Sequence, residues 1–396
     1  MSRATVRLRD VVEINPAIRV GDALEKEVCF VAMADVSEAG HITSFQTRPL
    51  LEVSKGYTSF CQGDVLLAKI TPCFENGKAA VVERLASSVG FGSTEFHVLR
   101  PSSKIDARFL FHLIWNPQFR RLGAKRMTGS AGQKRLPTAF LAEYEFWLPQ
   151  LEEQKRIAAI LDKADSLRRK RQEAIRLADE FLRAIYLDLA QKHSNRASVE
   201  SVLASIPNAA RTGPFGSQLL VSEFTDTGIP VLGIDNVVSN SFTWGARRFV
   251  SLEKYAELKR YTVRPGDVIV TIMGTTGRVA VAPSDLPLCI STKHLCTLSV
   301  DQQKMRPSYL WACLRWDPEV RAQTLRESKG AIMEGWNMGI VKSLMISKPS
   351  MEVQLKFEAL LTQIEKFTNR AKNAADETDA MIASLSSKYL SSPITV

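Results

Sequence analysis

Two stretches of the chain carry apolar residues at a regular three-then-four spacing, and the second lies 200 residues after the first. The residues at these positions are Ile157, Ile160, Ala164, Leu167, Ala174, Ala178, Phe181 and Ile185, and then Phe357, Leu360, Ile364, Phe367, Ala374, Thr378, Met381 and Leu385. A stripe maintained over this length predicts a coiled-coil helix rather than an ordinary amphipathic one. The polar Arg171 and Thr378 fall on the stripes, where they cost stability but can fix register. The spacing predicts a duplicated molecule.

The sequence before each stripe is repeated as well. A Gly-Asp turn precedes a short apolar run at residues 63–70 and again at 266–272, which predicts a buried strand in each copy. Ser93-Thr94 is then matched by Ser291-Thr292. A short helix follows in each copy, and then a polar glycine loop (129–133 or 328–330) and a proline after which a long helix can begin.

We therefore expect an α+β fold in which two similar globular heads are separated by two long helices. The expected segments are 1–150 for the first head, 151–192 for the first helix, 193–349 for the second head, 350–390 for the second helix and 391–396 for a tail. A chain of 396 residues exceeds one comfortable core, which agrees with two heads. Helices of roughly 38 residues would span about 57 Å. We expect an antiparallel coiled coil and a pseudo-twofold repeat, because parallel helices would force the second head to bridge back along the whole spacer.

Composition favours a binding partner with negative charge. The net charge of +10 and the pI near 9.3 indicate a polyanion, with nucleic acid first and an acidic membrane second. The sequence has no run of eighteen apolar residues and no signal-peptide core, and its six cysteines form no CxxC pair. We expect a cytoplasmic protein with neither a zinc site nor a disulfide framework.

Catalytic motifs are not convincing. Asn116-Pro117-Gln118-Phe119 departs from the Asn-Pro-Pro-Phe loop of adenine methyltransferases by one glutamine, and no glycine-rich methyl-donor loop accompanies it. The five histidines show no metal-binding spacing. These observations favour a binding protein over an enzyme. Two alternatives stay open: a stand-alone methyltransferase or nuclease with a cryptic site, and a coiled-coil adaptor that does not bind DNA.

Residues 148–165, which read LPQLEEQKRIAAILDKAD, closely resemble the central region of the specificity (S) subunits of type I restriction-modification systems. Residues 68–78, 90–101 and 213–217 are similar to target-recognition domains of that family. The second helix departs from the pattern, because residues 349–356 keep Pro349 and Gln354 but lose the Glu-Gln-Lys-Arg signature.

The resemblance implies a non-catalytic subunit that binds double-stranded DNA, with two target-recognition domains that each read one half of a split, asymmetric site. It also implies that the long helices bind two modification subunits, which methylate adenine at N6. Restriction subunits that translocate and cleave DNA would complete the assembly. The expected cofactors, S-adenosylmethionine, ATP and Mg, would lie on those partners and none on this chain.

Polar residues on the glycine loops are the best candidates for DNA contacts, because a close backbone and mobile donors suit a groove. The candidates are Thr71, Asn76, Lys78, Gln133, Lys134 and Arg135 in the first head, and Ser217, Gln218, Thr275, Thr276, Arg278 and Lys293 in the second. By the resemblance, the partner-binding candidates are Glu152, Glu153, Gln154, Lys155, Arg156 and Gln354. The run 168–171, Arg-Arg-Lys-Arg, could meet phosphates or an acidic partner, although charged helix faces are usually just solvated.

Overall fold

The computed structural model describes residues 5–18, 27–130, 132–245, 247–327 and 335–390. The chain forms two compact units, one made of Met1–Gln172 with Asn373–Val396 and the other of Glu173–Lys372. Each unit therefore combines one head with half of each long helix, whereas the predicted segments followed chain order. The predicted tail 391–396 and the loop 328–330 lie outside the described residues.

The first head, head one, contains two four-stranded sheets and a two-stranded ribbon, ordered β2-β9-β6-β7, β4-β3-β8-β5 and β1-β10. Its strands are β1 Thr5–Arg7, β2 Val12–Ile14, β3 Glu27–Val31, β4 Gln46–Pro49, β5 Thr58–Phe60, β6 Val65–Ala68, β7 Ala79–Val81, β8 Gly90–Gly92, β9 Phe96–Pro101 and β10 Glu145–Trp147. Its helices are α1 Leu50–Val53, α2 Ala107–Trp115, α3 Pro117–Ala124 and α4 Thr138–Glu143. The long helix α5 follows as Leu151–Lys192.

The second head, head two, repeats this topology with sheets ordered β12-β19-β16-β17 and β14-β13-β18-β15 and the ribbon β11-β20. Its strands are β11 Arg196–Ser198, β12 Ala210–Thr212, β13 Ile229–Leu232, β14 Phe249–Val250, β15 Thr262–Val263, β16 Val268–Thr271, β17 Val279–Val281, β18 Cys289–Ser291, β19 Leu295–Leu298 and β20 Met345–Ser347. Its helices are α6 Leu252–Leu258, α7 Pro307–Trp316, α8 Pro318–Glu327 and α9 Met338–Ser343, and α10 Met351–Leu390 follows. The expected α+β repeat is confirmed.

The Gly-Asp turns feed buried strands as the sequence predicts, since every residue of β6 and β16 is buried. Each aspartate is held by an arginine, but the arginines come from different strands. Asp64 accepts two hydrogen bonds, of 2.8 and 2.7 Å, from Arg100 of β9. Asp267 pairs with Arg211 of β12, and both side chains are only 4% exposed. The aspartate of the Gly-Asp turn is therefore neutralised in both heads, by arginines that lie on different strands.

The two long helices pack antiparallel within each unit. In the first unit, Arg171 donates to the Ala374 carbonyl and to the Thr378 hydroxyl, and Arg168 lies 3.9 Å from Asp379. Residues near the start of α5, such as Ile157, share a core with residues near the end of α10, such as Leu390. In the second unit, Leu182 and Tyr186 of α5 share a core with Phe357 and Leu361 of α10. The two polar stripe residues of the first unit therefore bind each other.

The buried face of the helices is rotated relative to the predicted stripe. Five stripe residues are between 41% and 52% exposed: Ile160, Leu167, Phe181, Phe367 and Met381. Neighbouring positions are buried instead, with Leu161 2% and Leu182 4% exposed. The reason is that each head packs on its helices and covers that side. Among the described residues, no helix is both long and apolar enough to cross a membrane.

Candidate nucleic-acid interface

Three chain segments of head one meet at a frame of backbone hydrogen bonds. The Lys69 N–H donates to the Glu95 carbonyl at 2.8 Å, and the Leu136 N–H donates to the Lys69 carbonyl at 2.8 Å. One step further out, the Thr71 N–H donates to the Lys134 carbonyl at 2.9 Å. The frame brings the glycine loop after β6, the turn before β9 and the polar loop before α4 to one place.

Head two contains the same frame. The Ile272 N–H donates to the His294 carbonyl, and the Trp336 N–H donates to the Ile272 carbonyl, both at 2.9 Å. The backbone pattern is therefore shared while the side chains differ, since head one has Lys69 and Glu95 where head two has an isoleucine and a histidine. Burial lowers the pKa of His294, and the charges of Lys293 and Arg248 lower it further.

Four of the head-one candidates come together on this frame. Gln133 and Lys134 are exposed on the polar loop and keep their side chains toward solvent. Arg135 is exposed but donates to both carboxylate oxygens of Glu95, at 3.0 and 2.7 Å, and this contact lowers the pKa of Glu95. Thr71 is half-buried and donates to Glu75 at 3.2 Å. Gln133 and Lys134 are therefore the best placed for DNA.

The two remaining head-one candidates connect the glycine loop to a neighbouring loop. The Asn76 amide donates to Glu38 at 2.8 Å, and the Lys78 ammonium donates to the Met33 carbonyl at 3.0 Å. Both side chains hold the segment after β3 against the glycine loop. Their contacts make them positioning residues first, although Asn76 is exposed.

The head-two candidates lie on three loops. Gln218 accepts from the Tyr261 hydroxyl at 2.7 Å, while its neighbour Ser217 is exposed. Thr275 and Arg278 are exposed on the loop after β16, Thr276 beside them is half-buried, and Lys293 is exposed at the frame. Arg278 and Lys293 carry the positive charges of this group, so they are its best candidates for binding a polyanion.

No group of histidine, cysteine, aspartate or glutamate side chains within the described ranges could hold a metal ion. Asn116 is only 7% exposed, and its side chain accepts from the Gln118 N–H at 2.8 Å at the start of α3. Phe119 is fully buried. The motif that departs from the methyltransferase loop is therefore the start of a helix.

The run 168–171 is largely used inside the first unit. Arg168 donates to Asp165 at 2.6 Å and lies over the Trp115 ring, with its guanidinium carbon 5.7 Å from the ring centre. Arg169 lies 3.2 Å from Asp165. Arg171 binds α10, so the exposed charges of the run are Lys170 and the Arg169 side chain, which is 41% exposed.

Gln154 is a predicted partner contact, but its side chain is fully buried. In this conformation it is not accessible to a partner subunit. Its amide nitrogen donates to the carbonyls of Lys104, at 2.9 Å, and Pro149, at 2.8 Å. Its oxygen accepts from the Asp106 N–H at 2.8 Å. The side chain therefore ties the start of α5 to the start of α2.

Gln354, which is 1% exposed, repeats this arrangement 200 residues later. It donates to the carbonyls of Lys304 and Pro349 and accepts from the Arg306 N–H, at 3.4, 3.0 and 2.8 Å. The second helix thus keeps this glutamine, although it lacks the Glu-Gln-Lys-Arg signature, because the side chain stabilises the fold. Glu152, Lys155 and Arg156 are exposed and Glu153 is half-buried, so these four stay candidates for partner contacts.

Sequence reasoning missed a cleft in head two. Its volume is about 240 Å³, and its lining includes Trp244, Arg247 and Arg248. The Arg248 guanidinium pairs with Asp235, which follows β13. No periodicity marks these residues. Their relation to head one appears only in the strand pairing of the folded heads.

Comparison with known proteins agrees with this architecture. Residues 3–177 match the family model of the type I restriction modification DNA specificity domain. The chain is 44% identical over 154 residues to the type I restriction enzyme EcoAI specificity subunit of Escherichia coli, and 42% identical over 162 residues to the EcoEI specificity subunit. These alignments cover 38% and 40% of this chain, and the chain spans only 26% and 27% of those relatives.

Two solved structures share the fold over the whole chain. The S subunit of a type I restriction-modification system from M. genitalium has a TM-score of 0.59 at 12% identity, with 100% of this chain and 97% of that chain covered. A chain from a type I R-M system studied for complex assembly and conformational transition has a TM-score of 0.55 at 19% identity, with 97% and 96% covered. The chain therefore resembles type I restriction-modification specificity subunits: the match to the specificity-domain model covers residues 3–177, and the fold of the whole chain is shared with the two solved structures.

Proposed function

We propose that the chain binds double-stranded DNA at a bipartite, asymmetric target and positions two adenine-N6 modification subunits and the restriction subunits on it. The observation that carries the proposal is the shared backbone frame with unlike side chains. Glu95 and His294, for example, occupy the same frame position in the two heads. Two modules of this kind suit a DNA site with two different half-sites. Contacts to the DNA backbone position a protein on the duplex, and side-chain contacts to base edges read the sequence.

Exposed cations beside the frame support binding to a polyanion. Lys134 in head one and Arg278 and Lys293 in head two are exposed on the loops described above. Each phosphate contact releases counterions, so the logarithm of the binding constant should fall with the logarithm of salt by about 0.9 per contact. The chain's net charge of +10 agrees with this requirement.

The long helices offer a surface for the modification subunits. In the first unit, Leu167 and Met381 are 41% and 45% exposed, and in the second unit Phe181 and Phe367 are 50% and 52% exposed. Apolar residues that remain half-exposed on a helix pair are the kind of surface that further helices bury. The repeat presents this surface once in each unit, which agrees with two modification subunits. We place S-adenosylmethionine, ATP and Mg on the partner subunits, and the assembly in the cytoplasm with the chromosome.

The test is reconstitution with the modification subunit. We expect the complex to methylate adenine in a split, asymmetric motif, and the chain alone to methylate nothing when given DNA and labelled methyl donor. Methylation by the chain alone, or a palindromic motif, would contradict the proposal. DNA binding by the complex that is absent or insensitive to salt would favour the adaptor alternative.

A separate test addresses the helices. We expect Leu167→Glu to weaken binding of the modification subunit in size-exclusion chromatography, because it places a charge on the apolar surface. Gln172→Glu is the matched control, since Gln172 is exposed on another face of the same helix and the substitution adds the same charge. Equal effects of the two substitutions would refute the assignment of this surface.

A further inference from the structure

Both heads contain one equivalent position at the beginning of the edge strand β4 or directly before the edge strand β14. In head one, Phe30 of β3 pairs with Phe91 of β8 on one side and with Gln46 of β4 on the other. In head two, Val231 of β13 pairs with Ile290 of β18, and its N–H donates to the Arg248 carbonyl at 2.8 Å. Gln46 and Arg248 therefore occupy the same ladder position, which we call the slot.

The next hydrogen bonds along the chain confirm the alignment. Ser93 donates to the Val31 carbonyl at 3.1 Å, and Thr292 donates to the Leu232 carbonyl at 2.9 Å. Ser93 therefore corresponds to Thr292, one residue away from the match that the sequence suggests. The slot is defined by the ladders and not by the repeat distance of 200 residues.

An aspartate orients the slot residue in each head. The Gln46 amide donates to Asp35 at 2.9 Å, and the Arg248 guanidinium pairs with Asp235. Both aspartates belong to the single 3₁₀ turn that follows β3 or β13, at Met33–Asp35 or Ile234–Asn236. A polar side chain held by a fixed acceptor is preorganised, which favours specific contacts over mobile ones.

The backbone of head two is shaped around this pair. A Cβ atom on Gly233 would lie 2.7 Å from both the Arg248 guanidinium and the Asp235 carboxylate, so a larger residue there would displace the ends of these two side chains. The Arg248 side chain is 37% exposed at the cleft that Trp244 and Arg247 also line.

The slot lies beside the proposed interface. In head one, Asn76 and Lys78 of the glycine loop bind the segment that carries Asp35. In head two, a Cβ atom on Gly274 of the corresponding loop would lie 3.2 Å from Ile234. The slot residue and the glycine loop therefore flank the same segment in each head.

We infer that the slot reads one base pair in each half-site, with Arg248 contacting guanine and Gln46 contacting adenine. Arginine binds O6 and N7 of guanine with two hydrogen bonds, and glutamine binds N6 and N7 of adenine in the same way. A guanidinium has five N–H donors, so the pair with Asp235 leaves donors for the base. Gln46 uses one N–H on Asp35 and accepts from Arg48 at 2.9 Å, and an amide has a second N–H and a second lone pair. This inference rests on the proposed function and adds the recognised bases to it.

The experiment compares duplexes that carry each base pair in turn at every half-site position, with the wild-type complex and its variants, by initial methylation rate. We expect the wild type to prefer guanine at one position by about 5- to 150-fold. Arg248→Gln should replace the preference for guanine with a preference for adenine, Arg248→Lys should weaken the preference for guanine, and both should leave the other positions unchanged. Asp235→Asn should weaken it partly, and its melting temperature checks that the head still folds.

Arg247→Gln is the matched control, because it removes the same charge from the neighbouring exposed residue and should lower the rate on all duplexes alike. In head one, Gln46→Arg combined with Ala32→Gly should change the preferred base from adenine to guanine. A uniform loss in Arg248→Gln, equal to that of Arg247→Gln, would overturn the inference, as would an unchanged motif. Absence of any split motif with the wild-type complex would instead overturn the proposed function, and the inference with it.

Discussion

Replacement of Gln154 by leucine tests whether this buried amide is what fastens head one to α5. The substitution keeps side-chain volume similar but removes hydrogen bonds of 2.9, 2.8 and 2.8 Å to backbone groups of Lys104, Pro149 and Asp106. Each backbone group left buried without a partner costs about 1–3 kcal/mol. Water that enters the site recovers part of this, so we expect the free energy of unfolding to fall by about 3 kcal/mol.

The second copy provides an internal comparison. Gln354 makes the same contacts, but its hydrogen bond to Lys304 is 3.4 Å long, so we expect Gln354→Leu to cost less than Gln154→Leu. Lys155→Ala, on the exposed face of α5, should change stability by less than about 0.5 kcal/mol.

Hydrogen exchange is the most direct assay, because the Asp106 amide donates to the Gln154 side chain itself. We expect its protection to fall in Gln154→Leu while amides of β6 keep theirs. Denaturant unfolding then supplies the free-energy change, read for each unit because two units need not unfold in one step. Unchanged protection at Asp106, or equal effects of Gln154→Leu and Lys155→Ala, would refute the reasoning.

Five further substitutions test the other polar contacts. Asp267→Asn should destabilise by about 3–5 kcal/mol in denaturant unfolding, since it leaves a buried guanidinium unpaired, and Asp64→Asn should cost less because its arginine is 30% exposed. Asp162 has its pKa raised by burial but lowered to about 2 overall by hydrogen bonds from a histidine and an arginine. The ionised carboxylate therefore stabilises the fold fully above about pH 4, and this stabilisation is lost as the pH falls toward 2. Asp162→Asn should lower the free energy of unfolding at pH 7 by about 1 kcal/mol, after allowance for solvent screening. It should also reduce the loss of stability between about pH 4 and pH 2. Thr378→Val should lower the free energy of unfolding by about 1 kcal/mol, because it removes an acceptor from Arg171. Arg171→Leu removes the charge itself and should cost less stability. The opposite order of the two effects would contradict this account.

The periodic parts of the fold were predictable from the sequence. The Gly-Asp turns and the long helices lie where the patterns place them, and the expected end of the second helix near residue 390 agrees with Leu390. The stripe was less informative about which face is buried. Leu161 and Leu182 are buried by the heads, and a helix pattern alone does not show that a head covers one side.

The candidate interface was predictable only in outline. Gln133 and Lys134 are exposed and stay candidates for DNA contacts, but Lys78 binds a backbone carbonyl, and Gln154 is buried. Such outcomes depend on which acceptor lies within reach after folding, and residue type does not encode that distance. Gln46 and Arg248 were missed because their equivalence is set by strand register, which shifts relative to the 200-residue repeat.

The glycine at position 233 has an evolutionary consequence if the slot reads bases as inferred. Head one has Ala32 where head two has Gly233, and a Cβ atom at that place would lie 2.7 Å from the Arg248 guanidinium. A change from arginine to glutamine needs a single substitution, whereas the reverse change brings the guanidinium against the alanine methyl group unless that alanine becomes glycine as well. New recognition sequences would then arise through a preferred order of mutations. The substitution of alanine by glycine would come before the substitution of the residue that contacts the base.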